Sequence, residues 1–234
     1  MKKITRKIMV IYIAMILVVF SRGIEVQGSE ENIRICGKIN NEVIEKIIDN
    51  CNNEINNFFE EYDINVNLDV LCIYLFEERT PEGNMGGYYN KSTPYNIYLN
   101  VNLIKDIDRL KFTYIHEVMH FIGFQDDDAT MLMEGMADAI AEDILQYYYD
   151  DSYDIARELC HYMINNDHKA FQYIVRGGDI DDKIDYCLKD RYINPSATLE
   201  YKLKKIEDGE LDSVTYDRYV KECKQIISLY CASL

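Results

Sequence analysis

From Ile39 to Tyr62, apolar residues recur at helical spacing. Val43, Ile44, Ile47, Ile48, Cys51, Ile55 and Phe58–Phe59 fall on one side of a 3.6-residue period, which predicts an amphipathic helix. Asn65 to Phe76 first alternates and then becomes continuously apolar, the pattern of a buried strand. Thr80-Pro81-Glu82-Gly83-Asn84 breaks it. Gly87–Asn90 and Tyr95–Val101 flank Lys91-Ser92-Thr93-Pro94, which predicts a hairpin. A helix follows from about Asp108 to Ile122, with Asp106 or Asp108 as N-cap and Gly123 as terminator. Helical spacing returns over Leu132–Tyr148, Tyr153–Ile164 and Lys169–Val175, before a turn at Arg176-Gly177-Gly178-Asp179. The remainder reads as helical apart from Asn194-Pro195. Strands early and helices late predict an α+β fold. Its expected parts are a mixed N-terminal lobe over 29–125, with a small sheet, and a helical C-terminal lobe over 126–234.

The first 28 residues stand apart. Lys2, Lys3, Arg6 and Lys7 precede an uninterrupted apolar run from Ile8 to Phe20, and Val26-Gln27-Gly28 offers a cleavage position. The run is shorter than the roughly 20 residues that span a bilayer. The segment reads as a secretory signal peptide, with a retained N-terminal anchor as the competing reading. Either places the rest of the chain outside the cytoplasm, secreted or tethered.

Charge narrows the partners. The whole chain carries −16; residues 1–28 hold five basic and one acidic side chain, so their removal leaves −20. Such a surface argues against nucleic acid or anionic membrane as the main partner. Seven cysteines follow residue 28, at 36, 51, 72, 160, 187, 223 and 231. None forms a CxxC pair, so a thiolate metal site is not indicated. Export would permit some of them to pair, with at least one left over.

The chemistry centres on His116-Glu117-Val118-Met119-His120. Residues four apart on a helix share a face, so the two imidazoles can hold one metal ion. Glu117 is placed to reach a water on that ion and act as general base. Without an ion, three polar side chains within Tyr114, Ile115, Val118, Met119, Phe121 and Ile122 would need other partners.

Catalytic zinc usually takes three protein ligands, and two carboxylates compete for the third place. Glu134 opens the next helical stretch, and Asp138 lies one turn later, where it can accept a hydrogen bond from a ligand histidine. Asp126 instead completes His116-Glu-x-x-His120-x-x-Gly123-x-x-Asp126, a metzincin-like pattern with Asp in the last place.

HEVMH followed by EGMAD resembles the gluzincin clan of metallopeptidases, tightly over 112–142 and loosely over 86–190. The resemblance implies a zincin-like fold and one zinc per chain. It implies His116, His120 and Glu134 as ligands, Glu117 as base and Asp138 as support for a ligand. Gluzincin aminopeptidases carry a Tyr-x-x-Gly at the start of a later helix. Tyr153-Asp154-Ile155-Ala156 is similar, so Tyr153 is the expected oxyanion donor, with His161 as alternative. Peptidases of this type bind extended peptides along an edge strand. Ile97-Tyr98-Leu99-Asn100 is the expected edge, with Tyr98 and Asn100 at the substrate, and Gly86-Gly87 permits close backbone approach.

The sequence thus points to an exported zinc metallopeptidase acting on peptide or protein substrates. The alternatives are a metzincin-like enzyme using Asp126 and a non-catalytic exported binding protein built on a peptidase fold.

Overall fold

A computed structural model describes residues 33–38, 42–78, 86–123, 130–148, 153–166, 172–173 and 178–233. The expected signal segment, Asp126 and the 125/126 lobe boundary lie outside them, as does most of the helix expected at Lys169–Val175.

Strand β1 (Ile33–Lys38) opens the described chain, followed by helix α1 (Glu42–Glu60). Ile44, Ile48, Cys51, Ile55 and Phe59 form its buried stripe, as helical spacing requires. Strands β2 (Cys72–Glu78), β3 (Gly87–Tyr89) and β4 (Asn96–Asn100) come next, and a 3₁₀ turn (Val101–Lys105) leads into helix α2 (Ile107–Ile122). Five helices complete the described chain: α3 (Met131–Leu145), α4 (Asp154–Asn166), α5 (Ile180–Leu188), α6 (Pro195–Glu207) and α7 (Ser213–Ala232). The α+β class is as the residue pattern predicts.

The sheet runs in the order β1-β2-β4-β3. β2 and β4 are parallel, pairing Ile73 with Ile97 and Leu75 with Leu99. β3 and β4 form the expected antiparallel hairpin, pairing Tyr88 with Tyr98. Successive strand residues face opposite sides. Ile73, Ile97 and Leu99 join the helical core. On the other face, Tyr98 stacks between Tyr88 and Tyr74, with ring centroids 4.5 and 5.5 Å away.

This order corrects one expectation. β4 is an inner strand, paired on both sides, so its backbone offers no edge for strand addition. Tyr98 and Asn100 are both buried. The Tyr98 hydroxyl lies among Thr93 and Asn96, and the Asn100 side chain accepts from the Asn102 N–H to cap the 3₁₀ turn. The strand at the end of the order is β3. Hydropathy pointed to β4 because the inner strand of a sheet is the more apolar one.

Capping sets the ends of the two helices that matter most. The Asp106 carboxylate accepts from the Arg109 N–H to begin α2, and Gly123 ends it. Thr130 caps α3, and Glu200 of α6 reaches across to accept from the Met131 N–H at 2.8 Å. Helix α3 is buried almost all round, from Leu132 to Glu142, as a central helix must be. It meets α4 closely at Gly135: a Cβ there would lie 2.6 Å from the Ala156 carbonyl carbon and 2.7 Å from the Arg157 nitrogen.

Residues Arg34–Leu234 form one compact unit. Burial pushes the Cys51 and Cys223 thiols up to about 12, leaving them unreactive. No described helix is long and apolar enough to cross a membrane.

Candidate metal centre

Helix α2 carries His116 and His120 one turn apart, on the face that meets α3. His116 Nε2 lies 3.0 Å from His120 Nε2. From the first turn of α3, Glu134 places Oε2 at 3.2 Å from His116 Nε2 and 3.5 Å from His120 Nε2. These three residues form a group able to hold a metal ion. The structure therefore brings Glu134 to the histidines, while Asp126 is not among the described residues.

Asp138, one turn beyond Glu134, accepts from His116 Nδ1 at 2.7 Å. That bond keeps a proton on Nδ1, so a metal ion would meet the ring at Nε2, which faces Glu134 and His120. Asp138 is only 3% exposed, and its Oδ2 makes no hydrogen bond among the described residues.

Crowding two imidazoles and a carboxylate creates a demand for positive charge. Burial opposes protonation of His116, but hydrogen bonds to Asp138 and Glu134 outweigh it and raise its pKa well above the ordinary imidazole value. Burial likewise opposes ionisation of Glu134, and hydrogen bonds from His116 and His120 reverse that, holding its carboxyl far below the usual range. A metal ion held there would displace the proton shared among these groups, so its binding would strengthen as pH rises. Two nitrogens and one carboxylate oxygen suit a borderline ion such as zinc.

Glu117 is buried beside the cluster. Burial raises its pKa, as does the Glu134 carboxylate, while His116 and His120 lower it. Thr113, Glu117 and Phe121 lie four apart on α2 and form the stripe beneath β3. Gly86 and Gly87 lie over Thr113, and the Tyr89 ring packs near Phe121, with centroids 6.4 Å apart.

Tyr153 holds the position before α4 in a left-handed backbone conformation, φ 72°. Its N–H donates to Glu207 Oε2, and its side chain packs against the hydrophobic core. His161 Nε2 lies 2.9 Å from Glu142 Oε2 and its Nδ1 3.4 Å from Asp143 Oδ1, on the stretch of α3 two turns past Glu134. A hydrogen bond to Asp143 raises its pKa against the effect of burial, aided by Glu142. Buried Arg157 pairs with the same Glu142 and with Asp154. His161 thus ties α4 to α3.

Sequence reasoning missed how closely β3 passes Glu117: a Cβ on Gly87 would lie 3.1 Å from Glu117 Cγ. Only the adjacent Gly86-Gly87 pair signalled that a backbone comes close there. No protein-family model, curated protein or solved structure matches this chain.

Proposed function

We propose that this chain is a zinc-dependent peptidase with a zincin-like fold, exported and acting on peptide bonds. One observation carries the proposal: His116 Nε2, His120 Nε2 and Glu134 Oε2 converge, with a buried carboxylate, Glu117, on the same helix.

His116, His120 and Glu134 would hold the ion, and Asp138 would fix His116 as a neutral, Nδ1-protonated ligand. Zinc, when bound there, supplies a Lewis acid and lowers the pKa of coordinated water to about 7. Glu117 accepts a proton from the attacking water. Its buried carboxyl then returns that proton to the leaving amine. Burial favours this work, because a raised carboxyl pKa lies closer to the operating pH. An extended substrate pairs with the outer edge of β3 rather than with β4.

The test is peptide hydrolysis by the mature chain, with and without a chelator. Hydrolysis is expected to stop on chelation and return with zinc. Glu117→Gln should lower kcat by about 10³-fold or more while zinc is retained, the scale set by losing a general base. Turnover persisting in Glu117→Gln would remove Glu117 from the mechanism.

A further inference from the structure

Helix α3 carries Glu134 in its first turn, the part of a helix least held by its own hydrogen bonds. Met131, Leu132 and Met133 lie too early to donate to a helical carbonyl four residues back. The first bond of that kind runs from the Glu134 N–H to the Thr130 carbonyl at 3.0 Å. Thr130 Oγ1 accepts from the Met133 N–H at 3.3 Å. The Met131 N–H finds its partner on another element: Glu200 Oε2, on α6, accepts it at 2.8 Å from 69 residues along the chain. A carboxylate at that distance makes the stronger of the two side-chain bonds. Its charge also suits the positive end of the helix.

Glu134 relies on that turn. His116 has Asp138 to aim its ring. The Glu134 carboxylate, among the described residues, pairs only with the two histidines. No described side chain outside the cluster turns it toward the ion, so its aim comes from its own backbone. That backbone is held before and after residue 134. Gly135 packs against Ala156 and Arg157 of α4, which blocks movement toward α4. Met131 is held from α6 by Glu200. Helix α6 is in turn tied to α7 through Lys202 and Glu222, 2.8 Å apart.

We infer that Glu200 is a positioning residue for the metal centre: by accepting the Met131 N–H it fixes the first turn of α3, and with it the reach of the Glu134 carboxylate. The inference rests on Glu134 being a ligand in the proposed zinc site. Glu200 is no member of the ligand cluster; it acts through the backbone of α3. A ligand must be held within about 0.5 Å of its working position. A helix rises about 1.5 Å per residue, so fraying of even one residue moves the chain further than that. The C-terminal helices α6 and α7 thereby become part of the scaffold that aims Glu134.

Zinc affinity, measured by competition with a chromophoric chelator, is the first test. Glu200→Ala should weaken zinc binding by about tenfold, the low end of the range for groups that orient a ligand. Glu200→Gln keeps an acceptor oxygen and should recover most of that loss. Ile227→Val trims one methyl group from the buried face of α7. It should lower stability and leave zinc affinity unchanged, which separates positioning from a general weakening of the fold. Unchanged affinity in Glu200→Ala would overturn the inference. So would Glu200→Gln binding as weakly as Glu200→Ala, or Ile227→Val losing as much affinity. The second test is amide hydrogen exchange in the chain without added zinc, which needs no turnover. In Glu200→Ala the Met131 amide should exchange about tenfold or more faster, with Met133 and Glu134 following, while Ile140 in the middle of α3 keeps its protection. Equal loss at Met131 and Ile140 would make Glu200 a general support of the fold and remove its positioning role. If the wild-type chain binds no zinc, the proposed metal centre fails, and exchange at Met131 still decides whether Glu200 holds the turn.

Discussion

Asp138 stands 2.7 Å from His116 Nδ1, on the far side of the imidazole from Glu134. Helix α3 thereby grips both nitrogens of one histidine, with residues one turn apart. Asp138 has no other hydrogen bond among the described residues for its second oxygen, so its carboxylate is committed to His116. Asp138→Ala is expected to weaken metal binding by about 10–100-fold, the usual cost of removing a carboxylate that orients a ligand histidine. Zinc affinity measured by competition with a chromophoric chelator checks this. Unchanged affinity would mean that His116 is oriented by something else.

The contact at Gly135 predicts a stability effect. It lies next to Glu134 and faces Ala156 and Arg157 at distances no Cβ tolerates. Gly135→Ala should destabilise the fold by about 1–3 kcal/mol, the range for overpacking a close-fitted interior. The helix-propensity gain of about 1 kcal/mol from replacing Gly is too small to cancel the upper part of that range. Denaturant unfolding compares the two chains. The same contact accounts for Ala156, since the facing pair must stay small.

A third prediction concerns pH. Burial, then Asp179, Glu200, Asp185 and Asp182, raise the Asp181 carboxyl to about 6. Its unfolded value is about 3.9. The folded state therefore binds the proton more tightly. Stability from Asp181 is complete below about pH 4 and is lost as pH rises through 6. Asp181→Asn keeps the backbone N–H that Asp179 caps and removes the charge. It should be more stable than the wild type by about 1–2 kcal/mol at pH 8, after allowance for partial exposure. The two should be indistinguishable below about pH 4. Thermal unfolding across that range gives the comparison, and a pH-independent difference would contradict the assignment.

Much of the centre was legible because helical geometry is local. Four-residue spacing places His116 over His120 and Glu134 over Asp138 without knowledge of anything distant. Helix ends were legible too, since Asp106 and Gly123 carry their own chemistry. What could not be read was the order of strands, which depends on pairing between residues far apart in sequence. Apolar content favoured β4 as a binding edge, yet apolar content is what draws a strand inside a sheet. The short β3 was legible as one arm of a hairpin, but nothing in Gly87 and its two tyrosines told that it would end the sheet. Strand β1 was likewise unforeseen, because Ile33–Lys38 mixes charge and glycine into a short alternating run.

The central claim is that His116, His120 and Glu134 bind one divalent ion. Its most direct test is the zinc content of the purified chain after equilibration with zinc and removal of loosely held metal, compared with Glu134→Ala and Asp126→Ala. The account predicts one zinc per chain in the wild type and in Asp126→Ala, and a loss of most of it in Glu134→Ala. A wild-type chain that retains no zinc, or a Glu134→Ala chain that keeps a full complement while Asp126→Ala loses it, would contradict the account.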